Sequence, residues 1–274
     1  MGGACVLKSD AVVANVLIIG AGGLIGGVLE HGLEAGHSLR KVDLHNVRSR
    51  AIRRADMRRL RSAEWAFEGV EAVVDLAVGV GVDAPLSDVF KNNVRATMNA
   101  LEGARRHAVG RYIFASSNHV TGMYERDSPY CEIVAGKYEG LDPAAIPLLD
   151  SRTSIRPDGP YGLGKAIGEA AARFYSDEFG VSAICLRIGT VNGADRPTSP
   201  RHYATLLTHA DLVHLVDCAV RAPEALRFGI FYGVSDNTWR FWDTAEAGAA
   251  IGFTPKDNAE RYRQTETRYL IPGP

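Results

Sequence analysis

Tyr161 and Lys165 stand four positions apart at the head of a run with helical periodicity, Tyr161 to Glu178, so a helix there puts the phenol and the ammonium on one face. A cation beside a phenol favours the phenolate, and the tyrosine becomes a usable proton acceptor, more so when a second positive charge lies alongside. An ordinary helix surface can carry the same spacing, so the order of strands and helices around the pair has to decide. Ser116, Ser117, Asn118 and His119 close a β-type run, Tyr112 to Ala115. Loop capping alone could use such residues, but at the carboxyl edge of a parallel sheet they stand where doubly wound folds bind ligands.

Near the N-terminus, Gly20-Ala-Gly22-Gly23-Leu24-Ile25-Gly26 follows the β-rich stretch Asn15 to Ile19 and opens a helical pattern. Glycines grouped in that way let backbone approach a pyrophosphate at a helix N-terminus, the fingerprint of a dinucleotide site. Asp43 ends the second strand-like run, 23 positions after Gly20, where a carboxylate can accept hydrogen bonds from ribose hydroxyls. A 2'-phosphate there would meet a like charge, and Leu44 offers no arginine to offset it, which favours NAD over NADP. Arg48, Arg50, Arg53, Arg54, Arg58, Arg59 and Arg61 keep NADP open, since an arginine near the site can accept that phosphate.

The elements that must position these groups alternate. Strand-like runs are Val16 to Ile19, Leu39 to Leu44, Ala72 to Leu76, Tyr112 to Ala115, Val181 to Leu186 and Phe228 to Tyr232. Helix candidates between them are Leu24 to Glu34, Leu86 to Arg106, Tyr161 to Glu178, Asp211 to Arg221 and Thr244 to Ile251. That alternation predicts an α/β fold, a Rossmann-type doubly wound parallel sheet. Met123 to Pro160 lacks clear periodicity, and structureless stretches of that length are uncommon unless functional.

The 274 residues lie between one and two domains at roughly 150 residues each. With 46% hydrophobic and 23% charged residues the chain reads as globular, which excludes disordered and fibrous classes. Its 31 basic and 32 acidic residues leave a net charge of -1, so no global field draws it to nucleic acid or anionic lipid, and a small partner is expected. The arginine run reads as an exposed face beside the cofactor's adenosine. Cys5, Cys131, Cys185 and Cys218 are scattered without CxxC spacing, which argues against a disulfide framework or zinc cluster and for a reducing, cytoplasmic setting. His209 and His214 lack the companions of a metal set, so no metal is expected. The 19 uncharged residues Ala11 to Leu29 approach a membrane span, but Gly20, Gly22, Gly23, Gly26 and Gly27 break the run, and Lys8 followed by Asp10 does not suit a signal peptide.

Gly20 to Gly26, Asp43, Asp75-Leu-Ala77, Asn93, Ser117 and Tyr161 with Lys165 together resemble an extended short-chain dehydrogenase/reductase of the NAD-dependent epimerase/dehydratase type, over residues 15 to 255. Phe114-Ala-Ser-Ser-Asn-His119, Arg156-Pro-Asp-Gly159, Arg187-Ile-Gly189 and Pro255-Lys-Asp-Asn-Ala-Glu260 are similar to strings of the uronate dehydrogenases. The resemblance implies Ser117, Tyr161 and Lys165 as catalytic residues. On the cofactor side it implies Gly20, Gly22, Gly23, Leu24, Ile25, Gly26, Asp43, Asp56, Leu76, Ala77 and Asn93, the last supporting Lys165 through water. Asn118 and His119 would contact sugar hydroxyls, Thr190 would stand where the family has a substrate-binding serine, and Arg201 would grip a substrate carboxylate.

Two departures stand out. Val78-Gly-Val-Gly-Val82 offers no hydroxyl where the family carries a serine, and Ser117 and Tyr161 are 44 positions apart, a longer separation that a sugar-phosphate branch shares. The expected organisation is an N-terminal extension over 1–14 and one NAD-binding domain over 15–274, with a small C-terminal substrate-binding lobe from about 190 and an insertion at about 123–158. The implied reaction is NAD-dependent oxidation of the anomeric carbon of a hexuronate or related sugar to its lactone. Alternatives are a sugar-phosphate or neutral-aldose dehydrogenase, a nucleotide-sugar epimerase or dehydratase that retains its NAD, and a dinucleotide sensor without turnover. Only 88 residues follow Leu186, a small lobe for a nucleotide sugar, and a sensor has no need of the base. The oligomeric state, a homo-oligomer included, is left open.

Overall fold

Where apolar residues fill consecutive positions of a short run, both faces of the strand are buried, and it belongs inside a parallel sheet covered by helices. Val16-Leu-Ile-Ile19 is such a run, each residue buried. The computed structural model describes residues 14–45 and 48–263. Among these, β1 (Ala14–Ile19), β2 (His37–Asp43), β3 (Arg53–Arg54), β4 (Ala72–Asp75), β5 (Arg111–Ser117), β6 (Ala183–Ile188) and β7 (Phe228–Gly233) form one parallel sheet in the order β3-β2-β1-β4-β5-β6-β7. The order reverses at β1, which pairs with β2 on one side and β4 on the other, so the chain has the switch point of a Rossmann-type doubly wound fold.

The helices are α1 (Leu24–Leu33), α2 (Leu60–Ala63), α3 (Leu86–Val89), α4 (Arg95–Arg106), α5 (Tyr130–Val134), α6 (Pro160–Phe179), α7 (His202–Thr205), α8 (His209–Val220) and α9 (Ala245–Ile251). Strand residues alternate between two cores. Val16, Ile18, Val74, Ile113 and Ile184 meet Leu29 of α1, Leu212 and Leu215 of α8 and Ile251 of α9. Leu17, Ile19, Val73, Tyr112 and Phe114 meet Ala100 and Leu101 of α4 and Ala172 and Tyr175 of α6.

A third cluster joins the stretch after β5 to the chain after β6. Tyr130, Ile133, Ile146 and Leu149 pack with Tyr232, Phe241 and Trp242. The aperiodic segment is therefore built of short pieces, a 3-10 stretch at Asn118–Arg126, α5 and a 3-10 turn at Pro143–Ala145, held by apolar residues spaced for this contact and not for one long element.

Several boundaries differ from the sequence expectation. Leu44 and Leu76 lie just past their strands, and β6 begins at Ala183 because the Val181 amide still donates to Tyr175 O, closing α6. The single helix expected over Leu86 to Arg106 is interrupted by a π turn at Phe90–Val94. The arginine run contains strand β3, and its side chains are partly engaged: Arg50 pairs with buried Glu30 and Arg53 stacks on Trp65 at 3.7 Å. The expected N-terminal extension with Cys5 lies outside the described residues but for Ala14, as do residues 264–274 of the expected lobe.

Candidate active site

The cofactor side begins where β1 ends. Gly20 turns the chain at φ +81°, and a Cβ there would lie 3.0 Å from Leu76 O. A Cβ on Gly26 would lie 2.6 Å from the Ala21 backbone, so α1 can seat this closely only on glycine. No side chain caps α1 at Gly23, and its first turn carries no acidic residue, so its N-terminal amides are left to face an anion. The Gly22 amide donates to Asp43 Oδ2 at 2.9 Å, which fixes the carboxylate at the end of β2 beside the glycine turn. This cradle fits a dinucleotide.

Two open clefts share Gly20, Asp43 and Val78. One, of about 430 Å³, runs past Asp56, Met57, Arg58 and Ala77; the other, of about 960 Å³, runs past Leu24, Ile25, Gly26 and Leu76 to Ser117, Tyr161 and Lys165. Asp56 is held by Arg58, whose Nε and Nη2 donate to it at 2.8 and 2.9 Å and keep its carboxyl below the usual range against the effect of burial. Arg58 also reaches Asn92 at 2.7 Å. Asn93 was expected to support Lys165 through water; its direct hydrogen bonds run to the loop after β4. Its Oδ1 accepts from the Gly79 and Val80 amides at 2.8 and 3.1 Å and its Nδ2 donates to Val80 O at 3.0 Å, clipping the loop after β4. In that loop Val78 and Val82 are exposed, so an apolar edge stands where the family has a serine.

Ser117, Tyr161 and Lys165 are brought together as expected. Ser117 ends β5 opposite Ile188 of β6, and Tyr161 and Lys165 occupy the first turns of α6. Lys165 is buried, its Nζ donating to Ala115 O at 2.6 Å and lying 5.6 Å from the centre of the Tyr161 ring. Ser117 Oγ accepts from the His119 amide at 3.2 Å. The His119 ring meets Tyr161 edge-on at 5.7 Å, and its Nδ1 is 2.7 Å from Asp158 Oδ2. Asn118 is buried, and its Nδ2 lacks a partner inside the protein.

Thr190, between Gly189 and Val191 of the cleft wall, bonds Thr205 Oγ1 at 2.7 Å. Arg201, expected to grip a substrate carboxylate, is instead held by the chain's own Glu125: Nε and Nη2 donate to its two oxygens at 2.6 Å each, and Nη1 donates to Thr190 at 3.1 Å.

Sequence reasoning did not single out Glu125, Asp158 or the network under the site. In that network Arg187 donates twice to Glu169 at 2.9 Å, Ser116 donates to Glu169 at 2.6 Å, and Arg187 reaches Tyr232 at 3.0 Å. Nearby, buried Tyr112 donates to Asp75 at 2.5 Å, and burial pushes both groups' pKa values up. Arg156-Pro-Asp-Gly159 and Arg187-Ile-Gly189 were signals for two of these; Glu125 sits in an aperiodic stretch with no signal. Among the described residues, no cluster of three or more His, Cys, Asp or Glu could hold a metal ion, and no helix is long and apolar enough to cross a membrane.

Residues 16–220 match the profile of the NAD dependent epimerase/dehydratase family. The chain is 32% identical to a uronate dehydrogenase of Pseudomonas syringae pv. tomato over 255 residues, 91% of this chain and 84% of that one. It is 30% identical to an NAD-dependent glucose-6-phosphate dehydrogenase of Haloferax volcanii, covering 90% and 95% of the two chains. The crystal structure of a mutant uronate dehydrogenase from Agrobacterium tumefaciens complexed with NAD superposes with a TM-score of 0.77 at 28% identity, over 96% of this chain and 92% of that one.

Proposed function

The chain belongs to the NAD-dependent epimerase/dehydratase family, and from that premise we propose that it oxidises the C1 hydroxyl of a free sugar to the lactone with Tyr161 as the base. NAD is the cofactor and, when bound, supplies the hydride acceptor. The glycine turn and the uncapped start of α1 would hold its pyrophosphate, and Asp43 its ribose. Tyr161 takes the C1 hydroxyl proton, Ser117 holds that oxygen by a hydrogen bond, and Lys165, seated on Ala115 O, keeps its cation beside the phenol. The carrying observation is that Ser117, Tyr161 and Lys165 line the same cleft that the glycine turn opens.

The likeness to uronate dehydrogenases suggests a hexuronate, with Arg201 as the grip on its carboxylate. The Glu125 carboxylate on Arg201 favours a second reading, a neutral aldose.

Tyr161→Phe tests the proposal. Turnover should fall roughly 10²- to 10⁴-fold, the usual worth of a positioned base, while NAD affinity measured by calorimetry stays near the parent's. Lys165→Ala should damage both. Substantial activity in the phenylalanine variant would move the base to another residue.

A further inference from the structure

Among the described residues, Arg201, His119 and Lys165 each already have an acceptor from the chain. Arg201 spends three of its five N–H donors on Glu125 and Thr190. His119 is paired with Asp158, and Lys165, the one cation among the described residues lining the larger cleft, donates to Ala115 O. The Arg201 and Glu125 side chains are 27% and 14% exposed, and Arg201 reaches Thr190, which stands between Gly189 and Val191 of the cleft wall. Glu125 is not a loose surface acid. The residues on either side of it, Tyr124 and the turn ending at Asp127, are fastened by Arg156, which lies 4.5 Å over the Tyr124 ring and pairs with Asp127.

Given the reading of the cleft as a place where a free sugar is oxidised at C1, we infer that Glu125 determines specificity: it occupies Arg201 in place of a substrate carboxylate, so the site takes an aldose that is uncharged at the end remote from C1. A hexuronate would have to evict Glu125 from a two-point fork and leave that carboxylate sheltered without a partner, or bring a second anion beside it. A sugar phosphate brings still more negative charge to the same place. A neutral sugar meets neither obstacle. Its hydroxyls donate to the carboxylate and accept from guanidinium N–H groups, the mixed donor and acceptor surface that the pair presents.

The test is a comparison of kcat/KM on NAD for matched sugars: galactose against galacturonate, glucose against glucuronate and against glucose 6-phosphate. The parent protein should favour the neutral member of each set by roughly tenfold or more, as expected for discrimination by like charge. Glu125→Gln keeps the side-chain shape and removes the charge. It should raise the uronate-to-neutral ratio by about tenfold or more, since it frees Arg201 for the substrate. A parent that turns over the hexuronate as well as or better than the neutral sugar would overturn the inference, as would a ratio in the variant unchanged within about twofold. The parent's ratio decides even if the variant folds poorly. Absence of NADH from every free sugar, in protein that still binds NAD, would overturn the reading of the cleft itself and is distinct from both of those results.

Discussion

Two arginine–glutamate pairs of the same chemistry sit at different depths of the substrate half. Arg187 and Glu169 are 1% and 5% exposed, and Ser116, Tyr232 and, through Tyr232, Thr121 extend their network to β5, β7 and the stretch after β5. Burial works against the Arg187 charge, but the Glu169 hydrogen bonds outweigh it and hold its pKa above the ordinary value. Arg201 and Glu125, 27% and 14% exposed, are joined through Thr190 to the cleft wall at Gly189 and Val191. Both pairs are bidentate, and what separates them is access. No ligand can reach the inner pair, so it serves as framework under Ser117, whereas the outer pair can be exchanged with a substrate group and so can select.

Breaking the inner pair should give the largest change in stability. Glu169→Ala leaves the buried Arg187 guanidinium with the Tyr232 hydroxyl but no counter-charge, which costs about 3–5 kcal/mol. At roughly 2–4 °C per kcal/mol for domains near this size, that is roughly 6–20 °C in Tm by calorimetry. Activity should fall on all sugars alike, and a selective loss on one class would erase the distinction between the pairs.

The outer pair should behave in the opposite way. Arg201→Ala should shift stability by only about 1 kcal/mol, as for a partly exposed pair. Selectivity should move instead: without Arg201, Glu125 stands unneutralised and discrimination against hexuronates widens, while Glu125→Gln narrows it. Ratios of kcat/KM that change in the same direction in both variants would show that the pair holds the loop and does not read charge.

A third set sharpens the comparison at the far end. On α4, Arg105 and Arg106 hold the Glu102 carboxyl down to about 2 from its ordinary 4.5. A carboxylate with a depressed value stabilises the fold above about 4.5 and loses that contribution as pH falls toward 2. Urea midpoints of the parent and Glu102→Gln should therefore differ slightly at pH 7 and converge near pH 2. A gap that stays constant would mean that these contacts carry no pH-linked stability.

What was legible in the sequence follows the same division. The glycine turn, Asp43, Tyr161 and Lys165 are each tied to the end of a strand or the first turns of a helix, so local spacing and strand order pointed to them, and the resemblance singled out Ser117 from the polar residues that follow Ala115. The outer pair joins residues 76 apart and His119 with Asp158 joins residues 39 apart, contacts that no periodicity announces. The resemblance pointed to Asn93, but its clipping of the loop after β4 depends on that loop's path in space. The segment after Met123 looked structureless because its apolar residues answer to Phe241 and Trp242, a hundred residues on, and not to a helix or strand of their own.

The central claim is oxidation at C1 by a proton acceptor at Tyr161, and the most direct measurement sets a free aldose beside its methyl glycoside, each with NAD and the purified protein. NADH absorbance and carbon NMR of the product are followed together. The account predicts NADH from the free sugar in amounts equal to the lactone formed, and none from the glycoside, whose C1 oxygen carries no proton for Tyr161 to take. NADH formed equally from the glycoside, or a product oxidised at another carbon, would contradict it.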